Sequence, residues 1–184
     1  FTSDHGYNVG HHGILHKGNG TWLTVKGTEP SWRRPNMFDT SMRVPTIVRW
    51  PGVVEAGGTV DETITNLDWF PTLLAMAGLK PKADAAIHGR NFLPLLQGES
   101  IPWDNSFYGE YGMHHGATTD MRVYRTPEWK LMRDFLRTGK DELYHLAEDP
   151  GETRNLIDDP THAAIQAELS QKLDARHAAI AATR

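Results

Sequence analysis

Two neighbouring side chains near the start of the sequence, Asp4 and His5, are of types that bind metal ions. A carboxylate supplies the hard oxygen that Ca²⁺ and Mg²⁺ prefer, whereas histidine is more usual with zinc and other borderline metals. Two residues are too few for a complete site, so further ligands would have to come from elsewhere. The alternative is a loop in which the aspartate caps the backbone and the histidine is hydrogen-bonded. Spacing alone leaves both interpretations open.

A third candidate, Lys17, is followed by Gly18-Asn19-Gly20. This turn sequence lets the backbone approach a ligand closely. A lysine ammonium is a compact point charge that suits an oxyanion. The alternative is a solvent-exposed loop lysine, and the residues themselves do not separate the two.

The segments around these candidates predict one edge of an α/β sheet. Residues 1–3 are predicted to end a buried strand, because a polar, glycine-rich segment follows them. Catalytic groups of open α/β sheets lie at such an edge. Residues 4–39 predict a long active-site loop with at most a turn or two of helix. The run VPTIVRWPG, residues 44–52, predicts a central strand.

Two helices and a small sheet are predicted further along the chain. The first helix lies within TNLDWFPTLLAMAGLK and is capped at Thr65 or Asn66, and a short turn in HGRNFLPLLQG ends at Gly98. The pieces SFYGEY, MRVYRTPEWKLMRDF and DELYHL predict an antiparallel sheet. The closing helix has Asp159 as its cap and Pro160 at its first position. Each helix has an apolar stripe: Leu67, Phe70, Leu73, Leu74 and Ala77 in the first, and Ile165, Leu169, Leu173 and Ile180 in the last.

The composition argues against several classes of protein. The net charge of −4 with mixed signs gives no basic stripe, so we expect no nucleic-acid partner. No apolar run approaches the length of a membrane span. The absence of cysteine excludes disulfides and thiolate metal sites without assigning a compartment. A leader would lie upstream of the first residue shown.

Several motifs in a fixed order resemble the second half of the sulfatase family, which belongs to the alkaline-phosphatase-like superfamily. They are SDHG, GHHG, KGNGT, NMFDTSMRVPTIVRWPG, TNLDWFPTLLAMAGL, HGRNFLPLLQGE, WKLMRD and ELYHLAEDPGETRNL. The resemblance covers nearly the whole chain and implies a sulfuric ester hydrolase of α/β fold. Residues 1–100 would be the C-terminal part of the main α/β domain, and residues 101–184 a small subdomain of antiparallel sheet plus helix.

The resemblance also implies roles for the first three candidates. Asp4 and His5 match the residues that complete a divalent-cation site in sulfatases, usually for Ca²⁺, with Mg²⁺ also possible. Lys17 matches the lysine that contacts the sulfate group. The segment WLTVKGTEPSWRRP is longer than the family's usual connection, so Lys26, Arg33 and Arg34 are rival cations. Trp22 and Trp32 in the same segment could stack on an aryl or sugar sulfate, although packing within a surface loop is the preferred interpretation.

Four histidines and an arginine complete the candidates. His114 and His115 follow the first strand of the predicted sheet, in a lobe that borders the substrate pocket in related enzymes. Substrate contact and solvent exposure are equally acceptable for both. His12 is expected to be structural, and His88 and Arg90 are expected to hydrogen-bond within the scaffold.

The resemblance implies that essential parts of a sulfatase lie outside this chain. The family's nucleophile is a formylglycine made from Cys or Ser in a C/S-x-P-x-R motif near the N-terminus. This chain has no cysteine, and its nearest serine match, SIPWD at Ser100, has Asp104 in place of the arginine. We therefore expect a C-terminal portion whose partner is the missing N-terminal half. Either that half is present as another chain or this portion is not a stable monomer, and alone it should be inactive.

Three functional hypotheses follow from the sequence. The first is a sulfatase segment acting on a small aryl or sugar sulfate. The second keeps the superfamily but changes the ester to a phosphate or phosphonate monoester. The third is a non-catalytic module that binds metal or sulfated ligands. The family resemblance slightly favours a periplasmic or secreted location.

Overall fold

The computed structural model describes residues 1–19, 35–115, 117–136 and 141–182. It divides into two compact units: unit 1 comprises residues 1–4 and 45–105, and unit 2 comprises residues 5–44 and 106–184. The helices are α1 (Asp39–Met42), α2 (Trp69–Met76), α3 (Leu93–Leu96) and α4 (Ala163–Ala181). The strands are β1 (Phe107–His115), β2 (Ala117–Arg125), β3 (Trp129–Asp134) and β4 (Glu142–His145). Three single turns of 3₁₀ helix cover His11–Gly13, Asn66–Asp68 and Pro160–His162.

Unit 2 is built on a four-stranded sheet in the order β1-β2-β3-β4, with every neighbouring pair antiparallel. Side chains that alternate along a strand reach opposite faces, so Leu131 packs towards α4 while Met132 packs on the other side. The α4 face of the core contains Leu131, Leu143, Leu156, Leu169 and Leu173. The opposite face contains Met37, Phe38, Met121, Val123, Met132, Tyr144 and Leu146.

The predicted antiparallel sheet and closing helix are confirmed. Asp159 Oδ1 accepts a hydrogen bond of 2.9 Å from the Thr161 N–H, and Pro160 occupies the first turn. On the predicted stripe of α4, Leu169 and Leu173 are almost fully buried. The sheet and helix therefore form as their local patterns indicate.

Unit 1 contains the predicted first helix, which begins with a 3₁₀ turn and continues as α2. A capping box closes its start, because the Thr65 N–H donates to Asp68 Oδ2 at 2.7 Å. Asp68 is buried, and its Oδ1 also accepts from the Arg90 N–H at 2.6 Å. Thr72 then accepts from the Phe92 N–H at 3.0 Å. Polar contacts therefore join α2 to the segment before α3.

The apolar stripe of the first helix lies on the surface of unit 1. Leu67, Phe70 and Leu73 are exposed by 63%, 58% and 54%. The side that packs within the unit carries Asp68 and Thr72 instead. The stripe exists as predicted, but the described residues do not cover it.

The strands predicted at residues 1–3 and 44–52 are not formed in the described residues. One reciprocal pair of hydrogen bonds joins the two segments, from Phe1 N to Ile47 O at 2.7 Å and from Ile47 N to Phe1 O at 2.8 Å. Phe1 and Ile47 are 83% and 62% exposed, so neither segment is buried. An apolar, β-branched run becomes a strand only where a partner continues the ladder, and here the pairing stops after one pair.

The units group the chain differently from the sequence-based division. The described residues between 5 and 44 belong to unit 2 together with the sheet, whereas the sequence assigned them to a domain of residues 1–100. The boundary between residues 100 and 101 remains a prediction. Within the described ranges, no helix is long and apolar enough to cross a membrane.

Candidate active site

The structure brings His5 and Lys17 together at the two ends of one loop, residues 5–19, here called the site loop. The Lys17 Nζ lies 3.4 Å from His5 Nε2. His5 Nδ1 lies 2.8 Å from the Gly6 carbonyl oxygen, which can only accept, so Nδ1 carries the proton. The Nε2 lone pair therefore faces the lysine. A histidine with this tautomer offers Nε2 to an ammonium or to a metal ion.

The site loop is closed by its own hydrogen bonds. Asn8 is fully buried, and both its backbone N–H and its side-chain Nδ2 donate to the His16 carbonyl, at 3.1 and 2.7 Å. Gly10 donates to the Ile14 carbonyl at 2.8 Å, and Ile14 is fully buried. Because these bonds cross the loop, His16 is held beside Asn8 and Lys17 returns towards His5.

The start of the site loop is also bonded to the segment of residues 36–42, here called the bracing segment. The Gly6 N–H, directly after His5, donates to the Ser41 carbonyl at 2.9 Å. A side chain at Gly6 would collide with the Thr40 carbonyl, so only glycine fits this approach. The bracing segment therefore fixes the backbone beside His5.

The end of the site loop is bonded to the same segment. The Asn36 N–H donates to the Gly18 carbonyl at 2.9 Å, directly after Lys17. A Cβ at Gly18 would lie 2.7 Å from the Asn36 carbonyl oxygen. Ser41 Oγ donates to Asn36 Oδ1 at 2.9 Å and so links the two attachment points. Sequence reasoning missed Asn36 and Ser41, because serine and asparagine in a motif carry no signal of which carbonyl they face.

Asp4 is the last residue of the first stretch of unit 1, and the chain enters unit 2 at His5. The Asn66 side-chain Nδ2 donates to the Asp4 carbonyl at 3.1 Å, and Ser3 Oγ donates to Asp4 Oδ1 at 3.2 Å. The sequence indicated Asn66 only as a helix cap, so this contact is new. Asp4 itself is exposed.

The remaining predicted site residues are not part of the contact between His5 and Lys17. The sequence placed His114 and His115 after the first strand, but β1 continues through both, and they pair with Thr118 and Ala117 across the hairpin. His114 is exposed. The rival cations Lys26, Arg33 and Arg34, with Trp22 and Trp32, lie outside the described residues.

A group of charges around the buried Lys130 and Glu152 lies in unit 2 and was not predicted from the sequence. This charge cluster consists of Asp39, Arg125, Lys130 and Glu152. The fully buried Lys130 Nζ lies 2.9 Å from Asp39 Oδ1 and 2.6 Å from Glu152 Oε1. Arg125 Nη2 and Nε contact the Asp39 carboxylate at 2.9 and 3.1 Å. The Asp39 N–H donates to Glu152 Oε2 at 2.6 Å, so every charge has a partner.

The two carboxyl groups of the charge cluster shift in opposite directions. Burial pushes the pKa of Asp39 upward, but Lys130 and Arg125 outweigh it and hold that pKa below its usual range. Burial dominates for Glu152 and raises its pKa, although Lys130 opposes the rise. The two acids therefore share one buried lysine, and Asp39 is the more firmly ionised of the pair.

His12 packs within unit 2, as expected for a structural residue. Its ring stacks on Phe38 at 3.7 Å between centroids and 9° between planes, and its buried Nε2 has no hydrogen-bond partner. Burial lowers the pKa of His12 to about 4, with smaller lowering from His11 and Lys130 and an opposing effect of Asp149. The folded protein therefore resists protonation of this ring.

Stability should fall as the pH is lowered from about 6.5 to about 4, because the unfolded chain then binds a proton at His12 that the folded chain excludes. We expect this site to contribute about 1–2 kcal/mol over that window, less than the full shift implies because the ring is only part-buried. The His12→Asn variant should lose this part of the pH dependence, and asparagine tolerates the left-handed backbone there (φ 55°). Urea unfolding at pH 7 and pH 4.5 measures the difference; an unchanged difference in the variant would contradict the assignment.

The donor set of Asp4 and His5 fits part of a divalent-cation site. It offers carboxylate oxygens and one imidazole lone pair whose tautomer is fixed by the Gly6 carbonyl. Within residues 1–19, 35–115, 117–136 and 141–182, no group of three or more His, Asp or Glu side chains could hold a metal ion. These two residues would therefore need further ligands from outside the described residues.

Comparisons with known proteins agree with this architecture. The family described as "N-sulphoglucosamine sulphohydrolase, C-terminal" matches residues 30–179, a range that includes the sheet and the charge cluster. An N-acetylglucosamine-6-O-sulfatase of Bacteroides thetaiotaomicron is 28% identical over 179 residues, which cover 95% of this chain and 29% of the relative.

Two solved structures share the fold. One is a protein in complex with its substrate D-glucosamine-2-N,6-O-disulfate, with a TM-score of 0.78, 27% identity, and coverage of 95% of this chain and 33% of that one. The other is the phosphonate monoester hydrolase of Agrobacterium radiobacter, with a TM-score of 0.76, 28% identity, and coverage of 97% and 34%. The chain thus spans about a third of the length of these proteins. It belongs to the N-sulphoglucosamine sulphohydrolase C-terminal family, within the sulfatases.

Proposed function

We propose that the whole protein carrying this chain hydrolyses a sulfate ester, and that the site loop supplies the sulfate-binding side of its active site. The observation that carries the proposal is the 3.4 Å contact between Lys17 Nζ and His5 Nε2. It sets a cation beside the ring nitrogen of a histidine, at the end of a loop whose backbone is fixed by hydrogen bonds. Membership of the sulfatase family supports the reaction class.

In this proposal Lys17 binds the sulfate group. Its ammonium would contact a sulfate oxygen and neutralise negative charge on the ester and on the transition state. His5 Nε2, held by the Nδ1 contact with Gly6, would accept from the ammonium or bind a divalent cation. In either role the backbone at both ends of the site loop is held, because Gly6 and Gly18 are bonded to the bracing segment.

Asp4 and His5 would hold a divalent cation, which we propose is Ca²⁺, with Mg²⁺ as the alternative. Carboxylate oxygen is the ligand type that these ions prefer. When bound, the ion supplies positive charge that polarises the sulfate oxygens. The remaining ligands and the formylglycine nucleophile would come from the part of the protein that precedes this chain.

The substrate in this proposal is a sulfated sugar. The relative named N-acetylglucosamine-6-O-sulfatase and the solved complex with a glucosamine disulfate both align over 95% of this chain, which supports a sugar over a simple aryl ester. His114 and His115, at the hairpin end of β1, are proposed substrate contacts.

A phosphonate or phosphate monoester hydrolase is the second candidate, because the phosphonate monoester hydrolase structure aligns over 97% of the chain. Rates on 4-nitrophenyl sulfate, 4-nitrophenyl phosphate, a phenylphosphonate ester and glucosamine 6-sulfate, measured with the whole protein, separate the candidates. We expect the two sulfates to be favoured in kcat/KM, and activity to disappear on chelation of the divalent ion. A faster rate on the phosphorus esters would favour the second candidate.

We also propose that the isolated chain lacks sulfatase activity, because it contains no cysteine and its closest serine motif lacks the arginine. Incubating the purified chain with an aryl sulfate and Ca²⁺ tests this point. Turnover that depends on the metal and is lost with Lys17→Ala would contradict it.

A further inference from the structure

The charge cluster and the bracing segment share one residue, Asp39. Asp39 is the first residue of α1, and its carboxylate contacts both Arg125 and Lys130. Its backbone N–H donates to Glu152 Oε2. Asp39 is therefore held at both its side chain and its main chain, by residues 86 to 113 positions away in sequence.

A helix as short as α1 cannot hold its own shape. Its four residues, Asp39–Met42, allow only one or two internal hydrogen bonds, and helix nucleation is unfavourable at that length. The fixed geometry of α1 must therefore come from tertiary contacts. The charge cluster supplies those contacts at its first residue, and Phe38 is buried directly before it.

The backbone at Glu152 points to the same conclusion. Its φ of 52° lies in the left-handed region, which is unfavourable for a non-glycine residue. Glu152 keeps this conformation while its Oε1 and Oε2 contact Lys130 and the Asp39 N–H. The contacts of the Glu152 side chain therefore hold its backbone in an unfavourable conformation, as is common near functional sites.

From α1, hydrogen bonds continue directly into the site loop. The next residue, Thr40, donates its hydroxyl to Asn8 Oδ1 at 2.7 Å, and Asn8 Nδ2 donates to the His16 carbonyl. Ser41 accepts from the Gly6 N–H. A displacement of α1 would therefore reach the neighbours of both His5 and Lys17.

We propose that the charge cluster is a positioning device that sets the separation of His5 and Lys17. Asp39 acts as its positioning residue, through the bracing segment and without touching substrate. The catalytic consequence of this inference rests on the proposed function, whereas its structural consequence does not. Any ester that requires both His5 and Lys17 would depend on the cluster in the same way.

The test compares two variants of the whole protein. Asp39→Asn keeps the size of the side chain but removes the charge that holds Arg125 and Lys130. The matched control, Leu173→Ala, removes buried apolar volume on the opposite face of the same sheet. Both variants are expected to lose stability. An effect seen in both variants therefore comes from weaker folding, whereas an effect seen only in Asp39→Asn comes from a change in the position of the site loop.

Two readouts are measured at a temperature where both variants are folded. We expect Asp39→Asn to lower kcat/KM per folded molecule by about 10–100-fold, as for other residues that orient a site, while Leu173→Ala stays within about twofold. Hydrogen exchange supplies a readout independent of turnover. Asp39→Asn should accelerate exchange in residues 5–19 and leave α4 protected. Leu173→Ala should accelerate exchange in α4 and leave residues 5–19 protected.

The possible outcomes are separable. If the wild type hydrolyses sulfate but the two variants match in both readouts, the positioning role is wrong and the proposed function stands. If the wild type turns over no ester, the proposed function fails and hydrogen exchange alone decides the positioning role. Should Asp39→Asn not fold, Thr40→Val interrupts the bond to Asn8 with the charge cluster intact. That variant should accelerate exchange in the site loop, and unchanged exchange would overturn the inference.

Discussion

Replacing Lys17 with alanine in the whole protein is expected to lower kcat/KM on a sulfate ester by about 10²–10³-fold, the cost of removing one charged group that stabilises a transition state. Lys17 is part-buried at the end of the site loop, and its Nζ contacts His5 rather than an acidic partner among the contacts described. Within the part of the chain that the structure describes, its removal leaves no buried carboxylate unpaired. The melting temperature should therefore stay within about 2 °C of the wild-type value, the shift that about 1 kcal/mol produces in a domain of this size.

Two matched variants sharpen the Lys17 experiment. Lys26→Ala removes the rival lysine from the neighbouring insertion and should leave kcat/KM within about threefold, as expected for a residue outside the site. Lys17→Arg keeps the charge but changes its shape, so it should recover only part of the activity. A larger loss in Lys26→Ala than in Lys17→Ala would transfer the sulfate-binding role to Lys26.

Replacing Lys130 with methionine is expected to destabilise the protein by about 3–5 kcal/mol, because one partner of a buried ionic group is removed. The side chain is fully buried and balances the carboxylates of Asp39 and Glu152 at 2.9 and 2.6 Å. Methionine has a similar length, so the loss would come mainly from the Glu152 carboxylate, whose cationic partner is removed, rather than from a cavity. Asp39 keeps its contact with Arg125. Urea unfolding of the variant and the wild type measures the difference.

The exposed ion pair of α4 provides the control for Lys130. Lys172 Nζ contacts Glu168 Oε1 at 2.7 Å, but both side chains are about half exposed. Lys172→Met should therefore change stability by less than about 0.5 kcal/mol. Adding Glu152→Gln to Lys130→Met should restore part of the loss, because it removes the carboxylate that Lys130→Met leaves without a cationic partner. A cost for Lys130→Met as small as that for Lys172→Met would show that the buried pairing contributes little.

Sequence patterns correctly predicted the closing helix and the antiparallel sheet, because these elements depend on residues close together in sequence or on strands that follow one another along the chain. The closing helix has its cap, its proline and its apolar stripe within about 20 residues, and β1 to β4 are sequential neighbours. The strand predicted at residues 44–52 failed for the opposite reason. Its apolar run is genuine, but a strand depends on ladder partners, and a periodicity says nothing of whether those partners are present.

The candidate site was predictable only through the family resemblance. Asp, His and Lys near one another in sequence could equally be loop residues, and nothing in their spacing gives the 3.4 Å contact between His5 and Lys17. The charge cluster could not be predicted from the sequence, because its members are far apart along the chain. Asp39 meets Lys130 and Glu152 from 91 and 113 positions away. The strand pattern gave no signal at Lys130, because a charge between the apolar residues Trp129 and Leu131 is the ordinary alternation of a half-exposed strand.

The exposed stripe on the first helix of unit 1 has a practical consequence for anyone who handles this chain in the laboratory. Leu67, Phe70 and Leu73 place three large apolar side chains in line on the surface. Such a patch attracts hydrophobic dyes and promotes self-association at high protein concentration. Purified on its own, the chain should give light-scattering signals that rise with concentration. Glutamate or lysine at these three positions would be the first change to make for crystallisation or NMR.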